Sequence, residues 1–283
     1  MKFSKYHALG NDYLVVEHDQ FAQFDTAENV ERICAEHFGI GADGMLIREP
    51  NGDGNQFSIR ILNSDGSEAE KSGNGLRIFA RYLWDQGLVK DELFDVQTAG
   101  GQVHCRISNA GRIVTVDMGK VCFNSHDIPV AGPPREVINE TMQIDHHTIK
   151  YSAANIGNPH CVIVREKSTP EEAQKLGPLI ETEPRFPSLT NVQFLQVMDR
   201  QNLWIEIWER GVGYTLASGT SSCAAAAVAR RLDLCDGNVT VHMPGGKLQI
   251  EVFDDYQVRM TGPVVKVADG DLSDEVFNLE LAE

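Results

Sequence analysis

Two four-residue stretches, Ser72-Gly73-Asn74-Gly75 and Ser218-Gly219-Thr220-Ser221, combine small residues with hydroxyls and an amide, and each stands at the head of an apolar run. Behind Ser72 come Leu76, Ile78, Phe79, Tyr82 and Leu83; behind Ser218 come Cys223, four alanines from Ala224, Val228 and Leu232. Apolar residues at helical spacing behind an N-capping serine predict two helices. Their first turns would present unsatisfied N–H groups and the positive end of a helix dipole, which suits a carboxylate. A pair of such groups acting from opposite faces of one substrate is what inversion of a stereocentre needs: one removes a proton while the other delivers one. Asn11, Asn63, Asn158, Asn191, Glu209 and Arg210 could fix the amino and carboxylate groups of an amino acid, and Arg210 can grip a carboxylate with two parallel hydrogen bonds.

These residues must be placed by a repeated unit, because the chain echoes itself at an offset of about 146 positions. Gly10-Asn11 recurs as Gly157-Asn158, the alternating run Phe57, Ile59, Ile61 as Leu203, Ile205, Ile207, Ser72-Gly73 as Ser218-Gly219, and Gly100-Gly101 as Gly245-Gly246. Each unit reads as a strand ending in Gly-Asn, a β-rich run, an alternating strand, the helix behind the serine, and a hairpin through Gly-Gly (96 to 107; 239 to 252). The first unit adds an amphipathic helix over 27 to 37, with Val30, Ile33 and Cys34 on one face. Several strands around one apolar helix predict an α+β fold of two pseudo-symmetric domains, each a mixed, barrel-like sheet curled around its helix. The domains are expected at 1–118 plus 263–283 and at 119–262. Val130 to Pro134 is the most linker-like stretch, and Val276, Phe277 and Leu279 are expected to pack back on the first domain. Equivalent loops of two such domains would meet across a pseudo-twofold axis, with the active site there.

At 283 residues the chain can form two cores. Its 41 Asp plus Glu against 25 Lys plus Arg give a net charge of −16, which argues against a nucleic-acid partner or an anionic membrane. No apolar run is long enough to span a bilayer and no signal-peptide core follows Met1, so a cytoplasmic protein is expected. The six cysteines lack CxxC pairing, so neither a zinc site nor a disulfide framework is expected, and Cys223 reads as core packing.

The motifs together resemble the diaminopimelate epimerase family. They are His7-Ala8-Leu9-Gly10-Asn11-Asp12, Gly39-Ile40-Gly41-Ala42-Asp43-Gly44, Asn63-Ser64-Asp65-Gly66-Ser67 followed by Gly73-Asn74-Gly75, Gly157-Asn158-Pro159-His160, and Trp208-Glu209-Arg210-Gly211 followed by Gly219-Thr220. They run in the family's order over nearly the whole chain. The resemblance implies a cofactor-independent, metal-free isomerase that interconverts LL- and meso-diaminopimelate on the route to lysine and peptidoglycan, and a homodimer. It implies that Ser72 and Ser218 occupy the acid/base positions, with His160 and Glu209 near the reacting centre. It also implies that Gly73, Asn74, Gly219 and Thr220 hold the reacting carboxylate, while Asn63, Asn158, Asn191 and Arg210 read the distal end.

The chain departs from that family at the reacting positions. The family carries cysteine where Ser72 and Ser218 stand, and a thiol near 8.5 can be tuned to serve as acid and base, whereas a serine hydroxyl is far too weakly acidic. Two further departures are Tyr214, where the family often has an acidic residue, and Ser221, which replaces the last Gly of Gly-Thr-Gly. Three readings follow: a diaminopimelate epimerase, a PLP-independent racemase of another amino acid, and a catalytically silent amino-acid-binding form, natural or engineered. If His160 has taken over as base, exchange should show an apparent pKa near that of histidine, about 6.5.

Overall fold

Alternation of apolar and polar residues makes strands buried on one face, as over residues 56–63, 101–108 and 113–120. The computed structural model describes residues 1–50 and 56–277. It is an α+β fold dominated by mixed sheet, divided into two compact units: Met1–Val116 with the chain from Gly262 onward, and Asp117–Thr261.

The first unit runs through β1 (Lys2–Ala8), β2 (Asn11–Glu17), the single turn α1 (His18–Phe21), α2 (Ala27–Cys34), β3 (Gly44–Glu49), β4 (Gln56–Asn63), the short β5 (Glu68–Ala69), α3 (Gly73–Asp85), β6 (Phe94–Thr98) and β7 (Gly101–Ser108). Along β1-β2-β3-β4-β6-β7 the pairings are antiparallel, parallel, antiparallel, parallel and antiparallel. The chain leaves this unit within β8 (Ile113–Lys120).

The second unit contains β9 (Glu140–Ile144), β10 (His147–Asn155), β11 (Pro159–Arg165), α4 (Pro170–Glu181), β12 (Asn191–Asp199), β13 (Asn202–Glu209), β14 (Gly213–Thr215), α5 (Gly219–Arg231), β15 (Asn238–Met243) and β16 (Gly246–Val252); the chain leaves it within β17 (Gln257–Pro263). Along β10-β11-β12-β13-β15-β16 the same alternation of pairings recurs. The repeat seen in residue types is thus a repeat of topology. Finally β18 (Val265–Asp271) returns to the first unit and pairs antiparallel with β1.

In each unit one helix is enclosed by its own strands. Residues 73–80 of α3 are all buried, and so are residues 219–229 of α5. Alanine gives α5 high helix propensity and a thin profile, so the surrounding strands can approach closely. Arg230 and Arg231 close its last turn, where cations favour the dipole.

Two expectations need correction, and one helix had no counterpart in the sequence reading. The helix expected over 27 to 37 ends at Cys34, because the next loop supplies partners for its last carbonyls: Ile40 N–H donates to Ile33 O at 2.9 Å and Ala42 N–H to Cys34 O at 3.1 Å. Gly39 makes this closure possible, since a Cβ there would fall 2.1 Å from Arg32 O. The stretch at 130 to 134 is no linker at its start: Val130 lies in the second unit's core beside Ile128 and Val137. The helix α4 was not anticipated. Thr169 caps it and Pro170 opens it, a start signal legible in the sequence. At the far end of the chain, Val276 and Phe277 pack on the core around Leu14 and Ile33, and Phe277 stacks on Phe24 with ring centroids 4.0 Å apart. Leu279 and the rest of 278–283 lie outside the described residues.

Candidate active site

Ser72 enters α3 from extended backbone (φ −133°, ψ 119°), and its Oγ accepts the Gly75 N–H at 3.0 Å. This is an N-cap bond, and it satisfies one of the helix's four orphan donors. The Tyr13 hydroxyl stands 3.4 Å from the same Oγ. Gly73 and Asn74 are buried in the first turn, which carries no acidic side chain to neutralise the dipole. Asn11 follows a tight turn through Leu9 (φ 60°) and Gly10 (φ 91°), both left-handed. That turn brings Asn11 to Asn74, whose Nδ2 donates to Asn11 Oδ1 at 2.9 Å. Asn63 is engaged elsewhere: its Nδ2 donates to Ser67 Oγ at 3.0 Å and its N–H to Ser67 O at 2.8 Å, closing its own turn.

Ser218 repeats the geometry at α5 (φ −142°, ψ 126°), with a longer cap bond of 3.5 Å from the Ser221 N–H. Its Oγ is also 3.5 Å from Thr220 Oγ1. Ser218, Gly219 and Thr220 are buried in one turn, again with no acidic neighbour in it. Ser221 Oγ accepts from Gln193 Nε2 at 3.0 Å. His160 Nε2 lies 2.8 Å from Asn158 Oδ1, and His160 stands opposite Asn191 in the β11–β12 register. Asn191 Nδ2 donates to Pro159 O at 2.9 Å, while its Oδ1 accepts the Arg210 N–H at 3.0 Å. Asn158, His160, Asn191 and Arg210 are therefore one connected group. The Arg210 guanidinium is exposed and donates to Ser188 O at 3.0 Å, and Glu209 is half-buried at the end of β13.

Glu181 braces this group from α4. Its carboxylate accepts the Trp208 indole N–H at 2.6 Å and the Gly211 N–H at 2.8 Å, on either side of Glu209-Arg210. Gly177 lets the helix come this close, since a Cβ there would lie 2.5 Å from Trp208 Cγ.

Burial decides the charge of His160. The ring is wholly enclosed, and loss of water pushes its pKa down to about 3; Gln193 opposes that shift and the Arg210 charge adds to it. The expectation of an apparent pKa near 6.5 from this residue is accordingly corrected, because the imidazole is neutral throughout the physiological range. His160 Nδ1 and Gln193 Oε1 are both buried without a well-formed hydrogen bond. In the first unit, the Asp43 carboxylate is drawn against Asn11 and Asp12. Lost hydration raises its pKa, while the N–H donors of Asp12 and Asn11 pull the other way. Among the described residues, no three His, Cys, Asp or Glu side chains gather in a way that could hold a metal ion.

Sequence reasoning passed over Tyr13, Asp43, Arg77, Glu181 and Gln193. Tyr13 had a signal, since it is the repeat equivalent of His160. Asp43 stood inside a quoted motif without a role. Arg77 was visible as a charge on an otherwise apolar helix. Glu181 and Gln193 had none, because their partners are distant in sequence.

The family model described as diaminopimelate epimerase matches residues 3–123 and 152–267, which include both serine-capped helix entrances. The chain belongs to the diaminopimelate epimerase family. A relative from Nostoc sp. (strain PCC 7120), named diaminopimelate epimerase 2, is 54% identical over 99% of this chain and 98% of its own. The diaminopimelate epimerase of Desulfitobacterium hafniense is 39% identical over 98% of this chain and 100% of its own. Among solved structures, a probable proline racemase from Agrobacterium radiobacter superposes with a TM-score of 0.72 at 12% identity, covering 98% of this chain and 94% of that one. A hydroxyproline epimerase from Agrobacterium vitis gives 0.70 at 14%, covering 95% and 91%. The diaminopimelate epimerase family thus shares its fold with other amino-acid racemases and epimerases. Among the described residues no helix is long and apolar enough to cross a membrane.

Proposed function

We propose that the chain binds diaminopimelate and acts at its α-carbon, as a cofactor-independent isomerase of the lysine and peptidoglycan route. Ser72 and Ser218 stand at the acid/base positions, one in each unit. Gly73, Asn74, Gly219 and Thr220 take the reacting carboxylate, whose growing negative charge on α-deprotonation the helix N-termini stabilise. Asn63, Asn158, Asn191 and Arg210 read the distal amino and carboxylate groups, with Asn11 beside Asn74 and Glu209 next to Arg210. The neutral, buried His160 orients Asn158 through its 2.8 Å contact, and is no free base. A cytoplasmic homodimer acting without PLP is part of the same reading.

The observation that carries this reading is that both units cap the same kind of buried, acid-free helix entrance with a serine, within a chain matched by the family model on both sides. One observation favours a second reading. Both serine hydroxyls accept a backbone N–H of their own helix, the work of a structural cap, and a silent amino-acid-binding form needs no more from them.

Deuterium incorporation at the α-carbon of LL- and meso-diaminopimelate in D2O tests the two. Exchange by the unaltered chain supports the isomerase. Saturable binding with exchange only after Ser72→Cys and Ser218→Cys supports the silent form. Absence of binding by either protein rejects diaminopimelate as the ligand.

A further inference from the structure

A one-way chain of hydrogen bonds crosses the first unit's helix entrance. It starts at Arg77, a fully buried guanidinium in the first turns of α3, which donates from Nη1 to Gly73 O at 3.3 Å and from Nη2 to Asn74 Oδ1 at 2.8 Å. Asn74 Nδ2 passes the direction on to Asn11 Oδ1 at 2.9 Å, and Asn11 Nδ2 to Asp43 Oδ2 at 2.7 Å. The same Asp43 oxygen accepts the Asp12 N–H at 2.9 Å.

A guanidinium carries only donors, and the Asp43 oxygen facing Asn11 already accepts the Asp12 N–H, so the two ends dictate the orientation of everything between them. An asparagine amide by itself has no such preference. Turning Asn74 over would set donor against donor at Arg77; turning Asn11 over would set acceptor against acceptor at Asp43. The helix does not need this arrangement to form, because α5 starts equally well with Thr220 and Cys223 at the repeat positions of Asn74 and Arg77. Burying an arginine charge is costly, so its place behind Asn74 calls for a role beyond starting the helix.

We propose that Asp43 and Arg77 are positioning residues that lock the amide orientations of Asn11 and Asn74, so that Asn11 meets an amino-acid ligand with its remaining N–H rather than its oxygen. The proposal rests on the reading that these asparagines contact the substrate. It adds a polarity to the first unit's entrance: an acceptor group of the ligand, a carboxylate oxygen, is favoured beside Asn11, and an ammonium group is disfavoured there.

The test compares Asp43→Ala with Asp43→Asn. Asp43 lies in the bend between α2 and β3, outside any helix or strand, so neither change should unfold the protein, and a thermal melt checks this. In the 15N-labelled wild type, the side-chain amide hydrogens of Asn11 and Asn74 should exchange slowly. In Asp43→Ala those of Asn11 should exchange about tenfold faster or more, whereas Asp43→Asn, which keeps an acceptor oxygen, should stay within about threefold of wild type. Calorimetric binding of meso-diaminopimelate should weaken about tenfold in the alanine variant and about threefold or less in the asparagine variant. Arg77→Met combined with Asp43→Ala should weaken binding less than the product of the two single effects, since either change already frees the chain. Unchanged amide exchange in Asp43→Ala overturns the proposal, and so does equal loss of binding in the two Asp43 variants. If the wild type binds no diaminopimelate, the proposed function fails on its own, and amide exchange alone decides whether the positioning chain exists.

Discussion

The two helix entrances share a backbone and differ in how their polar groups are held. At α3 a buried charge stands behind the turn: Arg77 anchors Asn74, Asn74 anchors Asn11, and the neighbouring pair Leu46 and Gly75 is apolar. At α5 no charge is buried in the helix's first turns. Instead Gln193 and Ser221, the repeat equivalents of Leu46 and Gly75, form a neutral hydrogen bond of 3.0 Å, and a neutral histidine stands where the first unit has Tyr13. The two units thus share what the backbone does and differ in the side chains packed behind it. One entrance is polarised by an ion and the other by a stack of neutral groups.

The largest expected effect erases the feature common to both entrances. Replacing both Ser72 and Ser218 by Cys should raise α-proton exchange with diaminopimelate by roughly 100-fold to 10,000-fold, the usual worth of a competent acid or base. Each single replacement should give only a minor part of that gain. If one of them alone restores the full rate, the entrances are not equal partners in proton transfer, and deuterium incorporation followed by mass spectrometry will show it.

A second test converts one entrance toward the other. Ser221→Gly strands the buried Gln193 Nε2 and should cost about 1–3 kcal/mol in urea unfolding. Adding Gln193→Leu, which reproduces the Leu46 and Gly75 pair, should return most of that loss. A double variant no more stable than the single one would show that the two pairs are not interchangeable.

His160 supplies a pH test. The unfolded chain protonates this histidine below about pH 6.5, whereas the folded form holds it neutral to about 3. Between those values the unfolded state binds more protons. Stability from this group is therefore complete above about pH 6.5 and falls as the pH drops, by at most about 1.4 kcal/mol per unit. His160→Gln should flatten that slope, read from urea midpoints between pH 4 and 7 (a working range of about three units); an unchanged slope assigns it to other groups.

The smallest effect compares the caps. The Ser72 bond of 3.0 Å is better formed than the Ser218 bond of 3.5 Å. Ser72→Ala should cost about 1 kcal/mol and Ser218→Ala nearer 0.5 kcal/mol. The reverse order would show that Ser218 earns its place through Thr220 or a partner other than the helix.

What could be foreseen follows a physical divide. Periodicity and capping act locally, so the two apolar helices, their N-cap serines and the Gly-Gly hairpins could be read directly from the chain. That the two units would share one arrangement followed because the landmarks recur at a fixed spacing, whereas the parallel and antiparallel pairings within each unit did not. The protonation of His160 could not be read, because complete burial depends on what packs over it. Glu181 escaped for a related reason: an acidic residue at the end of a helix gives no hint that it will clasp an indole and a backbone N–H some thirty residues away. The family's motifs named Asn11 and Asn74, but not that one donates to the other or that Arg77 and Asp43 close the ends.

The pairing of β1 with β18, Lys2 opposite Asp271, also governs the order in which the molecule can be assembled. During synthesis the second unit is contiguous and emerges whole, whereas the first emerges early but waits for its last strand until the chain has passed Gly262. Until then β1 has an unpaired edge, the kind of surface that recruits stray strands. The half of the protein made first is thus the half completed last, and a folding yield that depends on chaperones or on translation speed should show in variants that weaken the β1–β18 pairing.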